Sequence, residues 1–148
     1  MITLQNDQLT VSVSTKGAEL QSIKNPAEGI EYLWQGDAAF WGRKAPVLFP
    51  IVGRLKNDQY SYNGTTYPLN QHGFARDREF HVEEQTANMV RLTTHSTPET
   101  KTYYPFDFQL TLTYTLEENT VNVSYLVKNT HASEELYFSI GGHPGFNV

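Results

Sequence analysis

The chain has 148 residues, 16 of them acidic and 11 basic, for a formal charge of −5 and a pI near 5.5, so it offers no global positive field to nucleic acid or an anionic membrane. Zero cysteines exclude a disulfide framework, a thiol nucleophile and a cysteine-based metal site. One domain spanning residues 1–148 is expected, because a chain of this length buries roughly 68–70% of the surface its unfolded form exposes.

From the N-terminus, Met1-Ile2-Thr3-Leu4-Gln5-Asn6 lacks a basic and an apolar leader region, and no stretch approaches the length of a membrane span. That predicts a soluble, cytoplasmic protein. Leu9 to Ser14 alternates apolar and polar residues with period two, the pattern of a half-buried strand. Gln59–Tyr62 and Thr65–Leu69 flank Asn63-Gly64, a pair that accepts the positive φ angles of a type I′ turn, so a hairpin is predicted with Pro68 at an edge or strand end. Thr97-Pro98-Glu99-Thr100-Lys101 reads as a short helix with a threonine cap, stopped within two turns by Pro105. Gln109–Tyr114 and Val121–Val127 are further alternating strands, and Leu136–Ile140 is an apolar one. The fold class predicted is all-β, a many-stranded antiparallel sandwich.

Leu136–Ile140 leads into Gly141-Gly142-His143-Pro144-Gly145-Phe146, with nothing after it to pair with. Native chains normally cover such an apolar edge. The sandwich is therefore expected to be incomplete within these residues and to belong to a larger protein, and its open edges would also allow a homodimer.

Two histidines stand in glycine-bearing loops. A β-scaffold that delivers His143 into a Gly-Gly turn, with Pro144 stiffening the exit, presents the ring to a pocket, unless the ring only satisfies a local carbonyl. His72, in Gln71-His72-Gly73-Phe74-Ala75-Arg76, is comparable: Gly73 admits a close approach, and Arg76 would lie on the same side of a short turn. His81, His95 and His131 read as solvated surface. Arg54, set among the apolar residues of Phe49–Leu55, either pairs with a carboxylate or points into a polar cavity where it holds ligand oxygens. Trp34, Trp41, Tyr103 and Tyr104 could form a sugar-stacking platform or belong to the core. Without His-x-His, His-Glu-x-x-His or cysteine, the sequence gives no support for a metal. The histidines and nearby arginines point to acid–base chemistry on a polar small molecule.

Pro46–Asn57, the Asn63-Gly64 hairpin ending at Leu69, Gln71–Arg76 and Gly142–Asn147, in this order and spacing, resemble the aldose 1-epimerase (galactose mutarotase) family, and within it the mutarotase-related, hexose-6-phosphate epimerase-like branch. The resemblance covers the whole chain but only about the N-terminal half of a family member. It implies a β-supersandwich and interconversion of the α and β anomers of a free sugar or sugar phosphate by general acid–base catalysis, without cofactor or metal. By the same resemblance His143 looks like the acid on the ring oxygen and His72 a second histidine on the substrate, while the residues matching Arg54, Gln71 and Arg76 contact it. A non-catalytic carbohydrate-binding domain on the same scaffold is the alternative. The sequence departs from the family twice. No position matches the family's C-terminal glutamate base, and Gly145 replaces the usual aromatic after His-Pro, which is expected to open the pocket or loosen the loop.

Overall fold

The structure, a computed structural model, describes all of residues 1–148. Alternation in the sequence becomes alternation in burial: in β1 (Ile2–Gln5), Ile2 and Leu4 are buried while Thr3 and Gln5 face outward. β1, β2 (Thr10–Val13), β3 (Leu20–Asn25) and β4 (Ile30–Glu31) form an antiparallel sheet in that order. After the short β5 (Val47–Leu48), β6 (Gln59–Tyr62) and β7 (Thr65–Pro68) make a two-stranded hairpin. Asn63 and Gly64 have φ of 47° and 79°, as the type I′ turn requires. Pro68 ends β7 where no third strand needs its missing N–H.

A second antiparallel sheet contains β8 (His81–Gln85), β9 (Met89–His95), β10 (Phe108–Glu117) and β11 (Thr120–Asn129), in the order β11-β10-β9-β8. The two sheets share one apolar core. Leu4, Val11 and Val13 join Val90, Leu92, Leu110 and Leu112, all fully buried, and burial of each such side chain contributes about 1.5–3 kcal/mol. The Tyr114 hydroxyl crosses from the second sheet to donate to the Ala18 carbonyl at 2.6 Å. This is the all-β antiparallel sandwich expected.

Two local expectations need correction. Leu136–Ile140 forms no strand, because only one of its backbone N–H groups, that of Ser139, finds a backbone acceptor, the Pro50 carbonyl at 2.8 Å. Strand pairing begins two residues before His143, where β12 (Gly141–Gly142) runs antiparallel to β5. The predicted helix shrinks to a 3-10 turn, Thr100–Thr102. The Thr97 hydroxyl does accept from the Thr100 N–H at 3.2 Å, and the Thr100 hydroxyl accepts from the Thr97 N–H at 2.8 Å. No helix is long and apolar enough to cross a membrane.

Phe49 ties this core to the loops that follow. Its ring is fully buried, 5.2 Å from Phe108 and within 6.1 Å of Phe74, Tyr104 and Phe138 by ring centroid. The chain leaving Phe49 therefore starts from a fixed point.

Candidate active site

His72 is held by backbone. Gly73, at φ +70°, forms a bridge with Phe49 so close that a Cβ there would lie 2.2 Å from the Phe49 oxygen. Only glycine fits. The same carbonyl accepts from the Phe74 and Ala75 N–H groups at 2.9 and 3.2 Å. His72 itself has φ of 65°, a left-handed conformation uncommon outside glycine. Its N–H donates to the Gly53 carbonyl at 2.8 Å, and its Nδ1 accepts the Gly53 N–H at 3.0 Å. That second bond fixes the neutral tautomer, because a nitrogen that accepts cannot carry the proton. Nε2 then carries the proton and lies 3.3 Å from the Gln71 side-chain amide, which must turn its oxygen toward the ring to accept, because two N–H donors cannot pair. Desolvation lowers the His72 pKa below its ordinary 6.5, with smaller contributions in the same direction from Arg76 and His143.

His143 is held by a different set of contacts. Gly142 pairs with Val47, the His143 N–H donates to the Pro46 carbonyl at 3.2 Å, and the Gly145 N–H donates to the Lys44 carbonyl at 2.8 Å. The Gly145 carbonyl in turn accepts from the Trp34 N–H at 2.9 Å. The loop is thus stitched to residues 34–47, while the imidazole stays exposed. Two rings lie close to it, Trp41 at a centroid distance of 5.2 Å and His72 at 6.1 Å. It makes no hydrogen bond to the rest of the chain, in contrast to His72. Gly145 does not open the pocket: a Cβ there would already lie 3.0 Å from both Trp34 Cβ and Trp41 Cζ3, so the tryptophans occupy that space.

The arginines divide. Arg76 is anchored beside His72, its Nη2 donating to the Gln71 carbonyl at 2.8 Å, and its buried Nε has no hydrogen-bond partner. Arg43 steadies this turn by donating to the Arg76 carbonyl at 3.1 Å and pairing with Asp77. Arg54 lies outside any strand; its side chain is 66% exposed and forms a two-pronged pair with Asp58 at 2.8 and 2.7 Å. Gln71 is exposed at the rim.

His81, His95 and His131 are exposed, and none is a neighbour of the His72–His143 pair. Tyr104 is core; Trp41 stands at His143. Gly53, Trp41 and Arg43 complete the site, although only the long-range fold reveals how they act. Neither imidazole of the pair contacts a carboxylate, and no three His, Asp or Glu side chains group as a metal site would require. Glu135 bonds the Tyr137 hydroxyl instead. A groove of about 570 Å³ is lined by aromatic and aliphatic side chains including Tyr60, Tyr62, Phe106 and Phe138, and contains neither histidine. Its titratable groups are tyrosines, whereas the His72–His143 pair brings together the side chains whose ordinary pKa lies near neutrality.

Comparison with known proteins agrees with this placement of the fold. The family model described as aldose 1-epimerase matches residues 1–148. The plasmid-borne protein LacX of Lactococcus lactis subsp. lactis is 38% identical over 151 residues, covering 99% of this chain and 50% of that protein. A galactose mutarotase-like protein from Lactobacillus casei superposes with a TM-score of 0.95 at 42% identity, over 100% of this chain and 50% of the other. A galactose mutarotase related enzyme from Lactobacillus acidophilus gives 0.91 at 45%, over 99% and 49%. The chain spans about half the length of the curated relatives it matches.

Proposed function

The chain belongs to the aldose 1-epimerase family, and from that premise we propose that the protein interconverts the α and β anomers of an aldohexose or a hexose 6-phosphate. One observation carries the reading: two imidazoles from separate loops face each other at a centroid distance of 6.1 Å, both reachable from solvent. In the proposed reaction the anomeric hydroxyl loses its proton to a base, the bond from C1 to the ring oxygen breaks, and the ring oxygen takes a proton from His143. Rotation about C1–C2 and reclosure in the reverse sense give the other anomer. His143 suits the proton-transfer role because its ring is exposed and unbonded, and an imidazole can give and recover a proton near neutral pH. His72 suits binding, since its tautomer makes Nε2–H a donor that can exchange the Gln71 amide for a sugar oxygen. The base is proposed to be a carboxylate from the part of the relatives' length that this chain does not span.

Arg76 and Gln71, and Arg54 once released from Asp58, are proposed to hold hydroxyl or phosphate oxygens. Guanidinium groups match phosphate bidentately, and the rest of the chain is acidic. A binding-only reading is favoured by one observation, the lack of a carboxylate at either imidazole. The two are separated by adding the complete protein to a freshly dissolved single anomer and following exchange by polarimetry or NMR. A rate well above buffer supports the enzyme, whereas binding without acceleration supports the alternative. Calorimetric titration is expected to show tighter binding of glucose 6-phosphate than glucose; equal affinity would remove the phosphosugar preference.

A further inference from the structure

We propose that Trp41 is a positioning residue for His143, holding the imidazole by edge-on ring contact where a hydrogen bond would otherwise be needed. The inference rests on the acid–base reading above. His143 receives no hydrogen bond on its ring, yet a proton donor must be aimed to work. The nearest ring that could aim it is the Trp41 indole, at 5.2 Å and 60°, an edge-to-face arrangement of the kind aromatic pairs favour.

Trp41 is itself secured. Its N–H donates to the Asp37 carbonyl at 2.8 Å, and its carbonyl accepts the Trp34 indole N–H at 2.8 Å. The Trp34 backbone N–H is bonded in turn to the Gly145 carbonyl, two residues beyond His143. Trp34, Trp41 and the His143 loop therefore form one closed circuit. Gly145 is the space that lets it close, because a Cβ there would press on Trp34 Cβ and Trp41 Cζ3 at 3.0 Å each. Trp34 Cβ is pinned beside its own backbone, so the indole tip of Trp41 is the part that must yield. The glycine and the tryptophan thus act together: Gly145 leaves the room in which the Trp41 indole stands at His143.

Two variants test this in the complete protein. Trp41→Ala removes the ring, and Gly145→Ala displaces it without deleting any group of the site. Both are expected to lower kcat by roughly 10- to 100-fold with KM within about twofold, the scale of a misplaced catalytic group. Trp41→Phe, which keeps an aromatic edge, is expected to recover most of the rate. In parallel, the ring proton resonance of His143, assigned by its loss in His143→Asn, is expected to shift in Trp41→Ala and Gly145→Ala. Unchanged kcat would overturn the proposal whether or not the resonance moves, because loss of the indole ring current shifts a neighbouring proton by itself. So would a raised KM at constant kcat, which would make Trp41 a sugar-stacking surface. If the wild-type protein exchanges no anomers, the proposed activity falls; a shifted resonance then shows the ring contact alone, and the positioning role falls with the activity.

Discussion

The His72 loop and the His143 loop bring the same side chain to the same place by different means. His72 is gripped by backbone: a left-handed φ of 65°, a Gly73 that admits no Cβ, and hydrogen bonds in both directions with Gly53. His143 has its backbone stitched to β5 and residues 34–46, but its ring lies against Trp41 and His72 without a hydrogen bond. The difference fits the two tasks proposed for them. A ring whose tautomer is fixed is suited to donating one hydrogen bond in one direction. A ring with both nitrogens unengaged is suited to taking up and releasing a proton as the reaction turns over.

The contrast can be broken most severely at His143. His143→Ala in the complete protein is expected to reduce anomer exchange by about 10²–10⁴-fold while leaving sugar affinity largely intact, as loss of a general acid does. NMR exchange on a single anomer measures the first and calorimetry the second. A variant within a few-fold of wild type would remove His143 from the proton-transfer role.

A smaller effect is expected from the backbone that grips His72. Gly73→Ala combines a left-handed φ with a Cβ driven to 2.2 Å from the Phe49 oxygen, and is expected to cost about 3 kcal/mol or more in urea unfolding. Gly64→Ala shares the positive φ but meets nothing within 4 Å, so it should cost only about 1–2 kcal/mol. Equal costs at the two glycines would mean that the close approach at Gly73 does not grip the loop.

The smallest effect concerns pH. His72 has its pKa lowered in the folded state, chiefly by desolvation, so the unfolded chain binds its proton more readily. The stability linked to this group is present above about 6.5 and lost as pH falls through the folded value. The urea midpoint should decline over that window in wild type and decline less in His72→Asn. Asparagine tolerates the left-handed φ and offers an oxygen to the Gly53 N–H in place of Nδ1. An identical decline in both proteins would show that His72 does not couple to folding.

Much of this architecture was legible in the residues. Alternation marked β2, β10 and β11, and Asn63-Gly64 marked the hairpin, because period two and a left-handed turn are local properties. The two histidines stood out because glycine flanks them. Leu136–Ile140 was misread for a physical reason: apolar side chains make a segment strand-like, but a strand exists only where a neighbour accepts its N–H groups, and here just Ser139 finds one. Arg54 was left between a carboxylate partner and a polar cavity, and Asp58, four residues on, supplies the partner at the surface. The role of Gly145 was misjudged because Trp34 and Trp41, about a hundred positions away in the chain, fill its space. No local pattern encodes that contact.

The division of labour between the two rings is tested most directly by nitrogen-15 NMR of the histidine side chains, recorded across pH on one sample of the complete protein. His72 is expected to show an unprotonated Nδ1 and a protonated Nε2 throughout its neutral range, with a titration midpoint below about 6.5, while His143 shows averaged signals from both tautomers. A His72 ring carrying its proton on Nδ1, or a His143 ring fixed in a single tautomer, would contradict the assignment of binding to one histidine and proton transfer to the other.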